Sequence, residues 1–149
     1  MTERQEIYFE LFDAGDIIRL EPLELVNYGS TLDLYRNWVK TKVTVKGGKF
    51  SGQYLGEFAT LDFENFKQEL SQLYYNLKGT ANFNDMEGYL ALRIKGDGIG
   101  HFEVQVKACD HPGVNASELT FTIGFDQTEL NELLNQLDRI TKKFSISGD

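Results

Sequence analysis

Any covalent, acid–base or metal chemistry in this chain has to be assembled from two histidines, one cysteine and 23 acidic side chains. Cys109-x-His111 pairs two soft ligands at short spacing, but a structural zinc site takes four Cys or His ligands and the chain holds three. No metal and no cofactor is therefore expected. Gly96-Asp97-Gly98-Ile99-Gly100 has the glycine density of a phosphate-binding loop. Such loops aim backbone N–H groups and a helix N-terminus at the phosphate. Here alternating runs flank the glycines on both sides and no helix follows, which is the pattern of a hairpin turn. His101 opens the second run on its polar side, expected opposite Arg93 and next to Glu103. Nothing places a serine or cysteine nucleophile beside it. Paired carboxylates about 5–10 Å apart could cleave a glycosidic bond, provided an apolar surround raises the pKa of one of them. No catalytic residue is assigned on these grounds, and a small hydrolase using such a pair with His101 stands only as an alternative to a binding protein.

The elements that would hold these residues follow from periodicity. Phe63, Phe66, Leu70, Leu73, Tyr74 and Leu77 recur at spacings of three and four, one apolar stripe of a helix. Asp62 is expected as its N-cap and Gly79 as its left-handed C-terminal residue. Leu130, Leu133, Leu134, Leu137 and Ile140 repeat the pattern, with Asp126 and Glu129 at capping-box spacing and Lys142 and Lys143 at the end favoured by the helix dipole. Val39, Thr41, Val43 and Val45 alternate with Lys40, Lys42, Thr44 and Lys46. A two-residue turn at Gly47-Gly48 would pair Val45 with Phe50, Val43 with Gly52 and Thr41 with Tyr54. Leu90, Leu92 and Ile94, then Phe102, Val104 and Val106, form a second hairpin. Leu119, Phe121, Ile123 and Phe125 make a strand running into the second helix. Ile7 to Phe12 and Ile17 to Leu23 flank Asp13-Ala14-Gly15-Asp16 as a further hairpin. Val26 to Leu32 and Asp110 to Ser117 read as long connections, and no repeat is visible. The expectation is an α+β fold: a largely antiparallel sheet built from hairpins, with two helices packed on one face.

The whole chain, residues 1–149, fits one domain, large enough to bury roughly 68–70% of its unfolded surface. Apolar residues make up 41% of it and a lone cysteine cannot form an internal disulfide, which suits a reducing compartment. The opening residues show no apolar run behind a basic stretch and no window is apolar for ~18 residues, so neither a signal peptide nor a membrane helix is expected. The expected location is cytoplasmic. A formal charge of −8 disfavours nucleic acid and anionic membranes as partners and suits a basic protein, whose encounter it would speed. The same charge also serves plain solubility.

Trp38 breaks the pattern. The register places it on the lysine-bearing face, opposite Glu57, where with Leu55 and Tyr89 it could form an exposed apolar patch of the kind that marks interaction sites. The alternative is that the N-terminal hairpin folds over that face and buries it. The expected partner-binding residues are Trp38, Glu57, Tyr89, Arg93, His101 and Glu103; the partner is a protein, and a homodimer is compatible with the sequence.

Asn37-Trp38, Phe50-Ser51-Gly52, Leu73-Tyr74 with Leu77-x-Gly79-x-Ala81, Glu87 with Leu90-x-Leu92, Gly100-His101 and Phe125-Asp126-Gln127-Thr128 with Leu130 together resemble the bacterial WapI-like immunity proteins. The likeness spans roughly Asp33 to Phe144 and rests on order and spacing. It departs at Asp33-Leu34-Tyr35-Arg36, where only Asp33 fits the family's Asp-Tyr-Trp-Asp. The resemblance implies an intracellular antidote that binds the toxic domain of a secreted toxin, one with a basic, RNA-binding surface in the family's namesake. A general accessory or small-ligand-binding module is the other non-enzymatic reading.

Overall fold

The computed structural model describes residues 6–26 and 38–144. Its elements run β1 (Phe9–Asp13), β2 (Asp16–Val26), β3 (Trp38–Gly47), β4 (Phe50–Ala59), α1 (Thr60–Asn76), β5 (Lys78–Asn84), β6 (Leu90–Asp97), β7 (His101–Cys109), β8 (Glu118–Asp126) and α2 (Gln127–Lys143). Every neighbouring pair is antiparallel, in the order β1-β2-β3-β4 and β5-β6-β7-β8. The α+β architecture of hairpin-built strands and two helices is thus as the sequence predicts. The strands, however, divide into two four-stranded sheets, each followed by a helix. The element order therefore repeats although the residues do not. The division falls where α1 interrupts the chain between β4 and β5. The connection after Val26 and the Asp33–Asn37 stretch lie outside the described residues.

Alternation decides which side chains go inside. Val39, Thr41, Val43 and Val45 are buried along β3, as are Leu90, Leu92 and Ile94 along β6 and Phe102, Val104 and Val106 along β7. Phe63, Phe66, Leu70 and Leu73 of α1 and Leu130, Leu133, Leu137 and Ile140 of α2 join them in one connected core. Tyr74, placed by periodicity on the stripe of α1, is instead exposed. The densest part is aromatic: Phe66 meets Phe9 and Phe83 edge-on at 5.3 Å each, and Phe58 stacks on Phe63 and Phe83 at 6.0 and 5.7 Å. No helix of the described residues is long and apolar enough to cross a membrane.

Several local expectations shift. Ala59, not Asp62, is the N-cap of α1; Asp62 sits three residues later and accepts the Ala59 N–H at 3.0 Å. The left-handed residue ending α1 is Leu77 (φ 59°), and Gly79 lies within β5. The β3–β4 turn is Gly48-Lys49, with Gly47 opposite Phe50, so Val45 faces Gly52, Val43 faces Tyr54 and Thr41 faces Gly56. The register is displaced by two, which preserves the faces and changes every partner. Trp38 accordingly faces Ala59, and Glu57 faces Lys40. In the second hairpin Arg93 faces Gln105, and His101 faces Asp126 of β8 instead of Arg93. β5, bracketed by α1 and a polar loop, has too little alternation to be read from sequence. By contrast, Asp126 caps α2 and Glu129 completes its box as expected, accepting the Asp126 N–H at 3.1 Å.

Candidate functional site

One end of the molecule gathers acid and aromatic side chains from four segments: the end of β4, the start of α1, the loop 85–89 and the residues after β7. The loop is shaped by a single carboxylate. Asp85 accepts the N–H groups of Gly88, Tyr89 and Leu90, each at 2.9 Å, which satisfies a buried charge with three donors and fixes the turn into β6. Tyr89 is thereby laid over Gly56 of β4. A Cβ at Gly56 would sit 2.9 Å from that ring, so only glycine leaves room for it. The ring stacks on Phe58 at 5.9 Å and Tyr54 at 6.3 Å, and the Tyr54 hydroxyl donates to the Tyr89 carbonyl at 2.6 Å.

Asp62 ties α1 to the same loop, accepting N–H groups from Ala59 at 3.0 Å and Met86 at 3.3 Å. Those bonds favour its carboxylate, yet burial outweighs them, and with Asp85 and Glu87 nearby its pKa is pushed up to about 6. Burial likewise raises the Tyr54 hydroxyl; a hydrogen bond with the Cys109 backbone opposes the rise, and the charges of Asp85 and Asp110 add to it. Tyr89 is raised by burial and by Glu57, Glu87 and Asp85. Burial is the largest cause of each of these shifts, and nearby negative charge adds to it. Met86 and Glu87 at the loop's tip and Asp110 beyond β7 are exposed.

The six residues expected to bind a partner fall in three places. Tyr89 and Glu57 belong to this acidic end, where Glu57 is half-buried on the outer face of β4. Trp38, half-buried, and Leu55, half-exposed, lie on that same outer face, whereas Tyr89 stacks on the inner one; the three do not form one patch. Nor does the N-terminal hairpin cover Trp38, since β2 lies beside β3 in the sheet. Arg93, His101 and Glu103 share the outer face of the second sheet. There an open cavity of about 620 Å³ is lined by Asn82, Asn84, Arg93, Gln105, Lys107 and Thr122 among others. Lys95 and Glu103 face each other beside it.

His101 and the raised carboxyl stand apart. His101 is exposed, with its Nδ1 at 3.1 Å from Asp97 Oδ2; Asp97 is held below the usual range, first by the Ile99 N–H and then by His101. Asp97 also accepts the His101 N–H, so the glycine segment is a side-chain-tied turn, as its flanks predict. Asp62 is bound to Met86, before β6, and His101 follows its far end. At Cys109 the thiol donates to the His111 carbonyl at 3.1 Å while His111 Nδ1 lies 3.2 Å from the Pro112 carbonyl. No cluster of three or more metal-ligating side chains occurs among the described residues. Sequence reasoning passed over Tyr54, Asp85 and Met86. The signal available for Asp85 was its place three residues before Gly88, a common loop spacing.

A sequence model of the immunity protein WapI-like family matches residues 10–145. This chain belongs to the WapI-like immunity protein family. No curated protein matches it. Among solved structures this family member is similar to MRP1/MRP2 of trypanosoma bruciei, with a TM-score of 0.54, 9% identity, and coverage of 95% of this chain and 88% of that one. It also matches the plant transcriptional regulator PBF-2 (TM-score 0.48, 14% identity, 99% and 92% covered). WHY1 from Arabidopsis thaliana follows (TM-score 0.48, 12% identity, 99% and 89% covered). At such identities the likeness to MRP1/MRP2 is one of fold alone.

Proposed function

We propose that this WapI-like family member is a non-enzymatic immunity protein that acts in the cytoplasm by binding a toxin domain directly, with the acidic end around Tyr89 as its principal contact. Family membership supports the kind of partner, and one structural observation supports the place. Tyr89 presents an aromatic ring held by stacking on Phe58 and Tyr54, amid Glu57, Glu87 and Asp85. A basic toxin surface would meet complementary charge, which speeds encounter, and an aromatic anchor of the sort that dominates interface energy. Arg93, His101 and Glu103 extend the candidate surface along the second sheet, and Trp38 along the first.

The test is binding of the purified chain to the toxin domain encoded beside its gene. The expected result is a nanomolar complex whose association slows as salt rises. Glu87→Lys with Asp110→Lys should lower the association rate about tenfold or more, since both side chains are exposed; Asp110 also accepts the Ser117 N–H at 2.9 Å, so the unfolding curve of the double variant checks that its fold is kept. A complex indifferent to salt and to both substitutions would place the contact elsewhere. The open cavity by Arg93 supports a second reading, a small-ligand module. In that case a ligand, not a toxin, should perturb the amide resonances of Asn82 and Gln105.

A further inference from the structure

The two sheets have four edge strands, β1, β4, β5 and β8, and each turns a row of backbone N–H and C=O groups away from its neighbour. Three of them are guarded by side chains. Gln136 of α2 accepts the Glu10 N–H of β1 at 2.9 Å, Glu69 of α1 accepts the Asn82 N–H of β5 at 3.0 Å, and Asp13 accepts the Gly124 N–H of β8 at 3.1 Å. β4 differs. Gly47 and Phe50 close its two-residue turn as a bonded pair, so Gly52, Tyr54, Gly56 and Phe58 pair with β3 while Ser51, Gln53 and Leu55 direct their backbone groups outward. Ala59, next but one in that outward row after Leu55, has its N–H taken by Asp62. Among the described residues the N–H groups of Ser51, Gln53 and Leu55 meet no hydrogen-bond acceptor. The strand is ten residues long and lacks lysine, proline or a bulge, the devices that blunt edges, and Phe50 and Leu55 on it are 72% and 51% exposed.

We infer that the β4 edge pairs with the β4 edge of a second copy of this chain, antiparallel about a two-fold axis at Gln53. The sequence of the strand is self-complementary in that register. Gln53 meets Gln53, Ser51 meets Leu55, Tyr54 lies opposite Gly52 and Phe50 opposite Gly56. Gly52 is open, since a Cβ there would meet nothing nearer than Val45 at 3.8 Å, whereas Gly56 is already covered by Tyr89 of its own copy, so Phe50 of the second copy lies beside it and not over it. Beyond the turn, Lys49 of each copy lies opposite Glu57 of the other, so two acidic molecules meet with opposite charges at both ends of the contact and an uncharged strip between. The result is an eight-stranded sheet across two copies, an isologous contact of the commonest symmetry.

The inference does not rest on toxin binding and is tested on the chain alone, although Glu57 belongs to both surfaces. Sedimentation over a concentration series should show a dimer. Gln53→Pro removes the central donor and puts no proline on an N–H bonded to β3, and should weaken the dimer at least tenfold; Lys49→Glu should weaken it several-fold. Under mild oxidation Gln53→Cys should give a cross-linked dimer, because residues facing each other in a bonded pair stand ~5.5 Å apart, within disulfide reach. Amide exchange at Ser51, Gln53 and Leu55 should slow as concentration rises. A monomer at all concentrations overturns the inference, as does a dimer untouched by Gln53→Pro. Protection of the β4 amides that appears only when a toxin domain is added overturns it too, and assigns the edge to that partner.

Discussion

Asp62→Asn isolates one buried charge. Asp62 is 6% exposed and its pKa is carried from an ordinary 3.8 to about 6 in the folded chain. At ~1.4 kcal/mol per pH unit, that corresponds to about 3 kcal/mol at neutral pH. Because the folded pKa lies above the unfolded one, the folded state holds the proton more tightly between pH 4 and 6. Stability from this group is therefore present below pH 4 and is lost as pH rises through 6. Asparagine keeps an oxygen to accept from Ala59 and Met86 but never ionises, so it imitates the protonated acid at every pH. Its amide N–H groups need partners of their own, which costs about 1–3 kcal/mol if they find none; that cost does not vary with pH. Asp97, Asp126 and Asp138, all held below their usual range, favour folding above pH 4 equally in both proteins. Urea unfolding at pH 4, 5, 6 and 7 should then show the wild type losing about 2–3 kcal/mol relative to the variant across that range. Parallel curves would mean that the two N–H bonds, not burial, govern the carboxylate.

Phe66→Ala should lower stability by ~3–5 kcal/mol in urea unfolding, since the ring is fully buried between Phe9 and Phe83 and its removal leaves a cavity. Gly96→Ala would place a methyl 2.4 Å from the Leu77 carbonyl oxygen, a fixed backbone atom; a loss of more than ~2 kcal/mol is expected by thermal unfolding. Ala14→Asn should raise stability by ~0.5–1 kcal/mol, because Ala14 (φ 50°) and Gly15 (φ 94°) both occupy the left-handed turn that Asn-Gly favours; an unchanged melting temperature would refute that.

How far the sequence could be read depends on how local the controlling forces are. α2 carries its own start signal, and Asp126 with Glu129 performs it. α1 lacks a capping side chain at its true N-cap, Ala59, so residue type alone points to the nearest carboxylate, Asp62, which acts from the third position. Its end departs from the local signal for a related reason. Glycine is the default left-handed residue, but here Leu77 bears that conformation, with its side chain packed against the core and its carbonyl accepting the Gly98 N–H at 2.9 Å. Tertiary contacts outbid a local preference that a lone sequence would have to follow.

The strands show the same limit from another side. Alternation fixes which face a residue occupies, and a register wrong by two or four residues leaves every face correct. The core was legible for that reason: Val43, Leu92 and Val104 are buried whichever residue stands opposite. A binding surface is a matter of neighbours, and neighbours are what an even slip exchanges. It gave Trp38 a glutamate in place of Ala59, and Arg93 a histidine in place of Gln105. Tyr89 fell outside alternation altogether, because a loop shaped by Asp85 carries it across to the inner face of the other sheet. A periodic signal can assign residues to the inside or outside of one sheet, but the acidic end exists only where two sheets meet, and no period within either strand set encodes that meeting.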